Sequence, residues 1–148
     1  MKPDEQQIRG VVHSVWSTQL GVEITDTEEL AGPSPETLTA SIQISGDFHG
    51  AVRIKCSRVL VRRAAATMFS MPEDDVTGDD ERDVIGELTN VVAGNIKATI
   101  PGRNSISLPT IVDGTDYQVS TVDVSSSDEI FFTLDGEAIV LTLVEHTA

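Results

Sequence analysis

The sequence predicts an α+β domain, with a largely antiparallel sheet and long helices packed on it. Three observations carry this. Apolar residues recur at helical spacing in three stretches, they alternate with polar residues in several others, and the order runs helix, hairpin, two helices, then several strands. The length, 148 residues, suits a single domain over 1–148 that needs no staple or metal.

From Asp4 to Leu20 the apolar residues Ile8, Val11, Val12, Val15, Trp16 and Leu20 are spaced for an amphipathic helix with Trp16 on its packed face. "AGPSPET" then forms a loop, because Gly32, Pro33 and Pro35 break regular structure. Leu38, Ala40, Ile42 and Ile44 alternate with polar neighbours, and Val52, Ile54 and Cys56 repeat the pattern after "GDFHG", which predicts a β-hairpin. "SRVLVRRAAATMFSM", residues 57–71, returns to helical spacing with Ser57 as its N-cap, and Pro72 ends it. An acidic connector leads to a third helix that begins near Thr77 or Asp79 and stops at Pro101-Gly102. The remainder reads as strands: "SISLPTIV", "YQVSTVDV" and "EIFFTLDGEAIVLTLV". Asp135-Gly136 in the last of these is a strong hairpin turn signal.

Composition excludes several functions. The net charge of −14, from 10 basic and 24 acidic residues, would repel a nucleic-acid backbone, so no nucleic-acid partner is expected. No apolar run approaches the roughly 20 residues of a membrane span, and the N-terminal "MKPDEQQIRG" has no signal-like apolar core, which points to a cytoplasmic protein with no membrane partner. Cys56, the single cysteine, reads as a small buried hydrophobe. His13, His49 and His146 show no metal-ligand spacing, and neither a nucleophile elbow nor a phosphate-binding loop is present.

The third helix is oddly furnished. Within "DVIGELTNVVAGNIK", residues 83–97, glycines stand at 86 and 94, each costing about 1 kcal/mol against alanine in a helix interior. With Glu87 at zero and about 100° per residue, Val91, Val84, Leu88, Val92, Ile85 and Ile96 fill an arc from roughly 40° to 180°. Asp83, Gly94 and Asn90 lie at about −40°, −20° and −60°, beside Glu87, with Gly86 near −100°. Asp83, Glu87 and Asn90 therefore form one exposed polar line that Gly94 continues without a side chain. Such a line suits a docking surface, although polar residues on the outside of an amphipathic helix are also what solvation requires. Asn95, at about 80°, falls in the apolar arc and reads as a hydrogen-bonded structural amide.

"DVIGELTNVVAGNIK" resembles the signature helix of the CheC/CheX/FliY family of chemotaxis phosphatases, with Asp83, Glu87 and Asn90 in the signature positions and "VVAGN" following. "SIQISGDFHGAVRI" is similar to that family's early hairpin and "ISLPTIVDG" to its strand after the helix, so the resemblance runs from about residue 37 to the C-terminus. A single motif copy resembles CheX rather than CheC. One departure is the proline after the helix: Pro101 and Pro109 follow Asn90 by 11 and 19 residues, sooner than the family pattern has it.

The resemblance implies a phosphatase acting on the phosphoaspartate of a CheY-type response regulator. In that role Asn90 positions the attacking water, Glu87 pairs with a regulator lysine, and Asp83 and Gly94 assist partner contact. It implies no cofactor of its own, the divalent metal belonging to the regulator. It also implies a homodimer formed through the sheets, for which the apolar strands from Glu129 to Val144 offer an edge. The competing reading is a non-catalytic module of the same fold that binds a response regulator or a flagellar switch partner.

Overall fold

Helical periodicity becomes three α-helices in the computed structural model, which describes residues 2–29, 36–114 and 124–146. Helix α1, Glu5–Leu20, opens on a reciprocal cap: the Gln7 N–H donates to the Asp4 carboxylate at 2.8 Å and the Asp4 N–H to the Gln7 side chain at 2.9 Å. Gly21 closes it in the left-handed conformation. Ile8, Val12, Val15 and Trp16 are buried beneath it, as the spacing predicts. Helix α2 spans Arg58–Met68. Ser57 occupies its N-cap position without capping it, because the hydroxyl donates instead to the Glu137 carboxylate.

Helix α3, Gly78–Thr99, is the longest element. Thr77 caps it in a second reciprocal box with Asp80, the kind of cap whose loss costs about 1 kcal/mol. Asp79, Asp80 and Glu81 place acidic side chains in its first turn and Lys97 a basic one in its last, matching the helix dipole at both ends. Val84, Ile85, Leu88, Val92 and Ile96 are buried and Val91 half-buried. Asn95, although within that arc by spacing, is exposed, its amide donating to the Val91 carbonyl at 2.9 Å.

Strands β1 (Thr25–Thr27), β2 (Thr37–Gly46), β3 (Gly50–Ser57), β4 (Asn104–Ile106), β5 (Thr110–Asp113), β6 (Val124–Leu134) and β7 (Glu137–His146) form one antiparallel sheet in the order β1-β6-β7-β3-β2-β4, with β5 also on β2. The predicted β2–β3 hairpin pairs from Thr37↔Ser57 to Ile44↔Gly50. Asp135 and Gly136 both adopt positive φ, 52° and 79°, as a two-residue primed turn between β6 and β7 requires. Of the expected edge at Glu129–Val144, β7 lies inside the sheet between β6 and β3, and β1 covers β6 at Phe131–Thr133. The expected loop at "AGPSPET" and strand at "YQVSTVDV" fall almost wholly outside the described residues.

One sheet face packs against the helices. Leu38, Ala40, Ile42, Ile44, Val52, Ile54, Ile139, Leu141 and Leu143 join the buried side of α3 in a single core. Each large side chain buried there contributes about 1.5–3 kcal/mol. Cys56 lies in this core, where burial first, and Glu137 second, push its thiol up to about 12. At neutral pH it is an inert thiol. No helix among the described residues is long and apolar enough to cross a membrane.

Candidate functional site

With its apolar arc fixed on the sheet, α3 turns Asp83, Glu87 and Asn90 outward, and all three are exposed. They line one open cleft of about 610 Å³. Its other lining residues are Arg82, Gly86, Leu108, Pro109 and Ile111. The opposite wall is thus the segment that joins β4 to β5, with Ile111 of β5 beside it. Gly94 is half-buried, and a Cβ built on it would meet nothing within 4 Å. It continues the stripe and does not line the cleft.

Gly86 explains why the wall stands so close to the helix. A Cβ there would sit 3.2 Å from Pro109 Cγ and 3.4 Å from Ile111 Cδ1, tighter than ordinary contact. The helix accepts a glycine because another segment lies against it at that point. Arg82 reinforces the approach, its guanidinium bonded to Asp79 at 2.7 Å and 3.6 Å from Asp113 at the end of β5. Those carboxylates, the bonded Asp79 first, raise the Arg82 guanidinium above its already high value, so it is a fixed cation.

The polar groups divide sharply into used and unused. Among the described residues the side chains of Asp83, Glu87 and Asn90 have no hydrogen bond and no ion pair. Other polar side chains of the same helix are engaged: Asp79 with Arg82, Asp80 with the N-cap, Thr89 with the Ile85 carbonyl. Two free acceptors and a free amide, one turn apart on a rigid helix, can meet a cation and hold a water by both donation and acceptance. No group of three or more potential metal ligands occurs among the described residues.

Asp83, Glu87 and Asn90 share one cleft, as their helical spacing predicts, whereas the facing wall has no counterpart in the sequence pattern. Helical spacing sets Gly86 beside the exposed line, yet it is buried beneath Pro109. "SISLPTIV", expected as one strand, is split into β4 and β5, and Leu108 between them is 87% exposed. The available signal was Pro109, which cannot donate to a ladder and marks an irregularity.

The family model for the chemotaxis phosphatase CheX matches residues 38–134, from β2 to the end of β6, with all of α3 inside. The chain belongs to the CheX family. No curated protein matches it. Among solved structures, the chemotaxis protein CheX from Vibrio vulnificus superimposes with a TM-score of 0.78 at 16% identity, over 96% of this chain and 95% of that one. A CheX-CheY-BeF3-Mg2+ complex from Borrelia burgdorferi gives 0.78 at 18% identity, over 99% of this chain and 100% of that one. FliY from Thermotoga maritima is more distant, with a TM-score of 0.61 at 16% identity over 98% and 92%. At such identities these likenesses establish a CheX fold, and the cleft on α3 is a feature of this CheX chain's own residues.

Proposed function

We propose that this CheX protein hydrolyses the phosphoaspartate of a CheY-type response regulator. The observation that carries the reading is the cleft on α3, where Glu87 and Asn90 stand one turn apart with their polar ends unpartnered among the described residues. Family membership and the CheX-CheY complex solved for the Borrelia protein support the substrate class.

The chemistry suits these residues. An acyl phosphate is already activated, so the phosphatase needs no covalent nucleophile, only a water held in line with the scissile bond. Asn90 holds that water by accepting a hydrogen bond from it through the amide oxygen or donating one to its oxygen through the amide nitrogen. The water oxygen attacks phosphorus, the bond between phosphorus and the aspartyl oxygen breaks with its electron pair staying on the regulator carboxylate, and the water's two protons remain on the inorganic phosphate released. Glu87 pairs with a regulator lysine and sets the docking register, with Asp83 and Gly94 assisting contact. The divalent metal belongs to the regulator.

Phosphoryl loss from a radiolabelled CheY-type regulator, followed with wild type and Asn90→Ala side by side, tests this. Wild type should accelerate decay, and Asn90→Ala should lose about 100-fold or more of that acceleration while still binding the regulator. Asn90→Ala with full activity would overturn the mechanism. No acceleration by wild type across several regulators would leave a non-catalytic module that binds a regulator or a flagellar switch partner.

A further inference from the structure

Three large hydrophobic side chains are exposed among the described residues. Val59 at 46% lies in the first turn of α2 and Phe69 at 39% at its C-cap, outside the cleft, whereas Leu108 at 87% stands in the wall facing Glu87 and Asn90. The backbone puts it there deliberately. Between the pairs Ile44↔Ile106 and Ser41↔Thr110, β2 advances three residues while the facing chain advances four. One extra residue is therefore inserted at Ser107–Pro109, a bulge of the kind that re-aims a side chain.

Both flanks of the bulge are held. The Ser107 N–H donates to the Gln43 carbonyl at 2.9 Å, and the Gln43 N–H donates to the Ser107 hydroxyl oxygen at 2.9 Å. On the other side Pro109 lies against Gly86 of α3. Leu108 is thus an apolar side chain presented by a fixed backbone, so covering it requires little further ordering.

We infer that Leu108 is the apolar anchor for the phosphorylated regulator, seated against an apolar patch next to the regulator's phosphoaspartate. The inference rests on the function proposed above and names what gives that site its affinity. Leu108 lines the same cleft as Asn90, so a protein that delivers a phosphoaspartate to Asn90 covers Leu108 as well. Magnitudes point the same way. An exposed ion pair such as that offered by Glu87 changes affinity by about fivefold at most. Burying a leucine changes it by about tenfold or more. The pairing of free carboxylates on one wall with a leucine on the other selects a surface on which a cation and an apolar patch adjoin.

The test measures kcat and KM for a CheY-type regulator phosphorylated by acetyl phosphate, and separately the Kd for the same regulator loaded with beryllofluoride and Mg2+. Leu108→Ser should raise KM and Kd about tenfold with kcat and melting temperature unchanged. Leu108→Met, which keeps the apolar area, should stay within about threefold of wild type. Unchanged KM and Kd in Leu108→Ser would overturn the anchor while leaving the phosphatase reading intact. Loss of self-association by Leu108→Ser, with KM and Kd unchanged, would likewise overturn it, and would assign the leucine to a second copy of this chain. If wild type binds the loaded regulator without accelerating phosphoryl loss, the phosphatase reading fails, and the Kd of Leu108→Ser alone decides the anchor.

Discussion

Glu81 and Glu87 lie six residues apart on one helix and are treated in opposite ways. The Glu81 side chain is 1% exposed and meets two arginines of α2. Arg58 holds it as a fork, with Nη2 at 2.8 Å and Nε at 3.0 Å, and Arg62 adds a contact at 3.4 Å. Glu87 is exposed, with no ionic or hydrogen-bonding partner among the described residues. A carboxylate that fixes two helices has its acceptors filled and cannot recognise anything else. A carboxylate left open beside an open amide makes no contact among the described residues, and under the proposed function it is kept for the regulator. The helix thus has one carboxylate engaged by the fold and, less than two turns on, one open to solvent.

The largest effect expected from that division is on stability. Glu81→Gln keeps the shape and removes the charge that two guanidiniums face. Breaking a buried pair costs about 3–5 kcal/mol, but Arg58 and Arg62 are 34% and 35% exposed and recover part of their hydration, so about 2–3 kcal/mol is expected. Denaturant unfolding should show the midpoint falling with its slope unchanged, and activity per folded molecule retained. The pH dependence has a definite sign. The Arg58 hydrogen bond, opposed by burial and aided by the charges of Arg58 and Arg62, holds the Glu81 carboxyl below its usual 4.5. A depressed folded value means the unfolded chain binds the proton more readily. Its stabilisation is therefore complete above about pH 4.5 and is lost as pH falls through the folded value. Wild type should lose stability more steeply than Glu81→Gln on acidification below that point, and equal slopes would remove the pair from the account.

This same pair shows what the sequence did and did not make legible. The hairpins were readable because strand alternation and the Asp135-Gly136 turn are local signals, and α3 was readable because its apolar arc is long. The wheel that arrays Glu87 also puts Glu81 at about 120°, in the middle of that arc. A charged residue there signals a buried partner, but which arginine answers it depends on how α2 packs, which no local pattern contains. Strand β1 has only three residues, and its burial is mostly exposed, so no alternation announces it. The polar line of the site was visible because it lies within one helix. The facing wall was not, because Leu108 reaches the cleft through a bulge in a strand remote in sequence.

At the other glutamate the effect should fall on association and spare the fold. Glu87→Lys sets like charge against the lysine proposed on the regulator and should weaken binding of the regulator about tenfold. The melting temperature should remain that of wild type, since the carboxylate holds nothing among the described residues. A stability loss approaching that of Glu81→Gln would erase the distinction between the two positions, and unchanged affinity would remove Glu87 from the docking surface.

The smallest effects separate the two glycines that made this helix unusual. At Gly94 a methyl group meets nothing within 4 Å, so Gly94→Ala should add about 0.5–1 kcal/mol through helix propensity alone. Gly94→Leu should fold equally well and dock less tightly, because its bulk stands on the line that continues Asp83, Glu87 and Asn90. At Gly86 the same methyl stands 3.2 Å from Pro109 Cγ and 3.4 Å from Ile111 Cδ1. There the gain in propensity is offset by crowding, and relief comes from moving the wall that presents Leu108. Gly86→Ala should therefore gain less stability than Gly94→Ala in chemical denaturation, and its KM for the phosphorylated regulator should rise. Equal gains with unchanged KM would mean that the wall keeps its place without the glycine, and that the close approach of Pro109 to α3 does not set the geometry of the cleft.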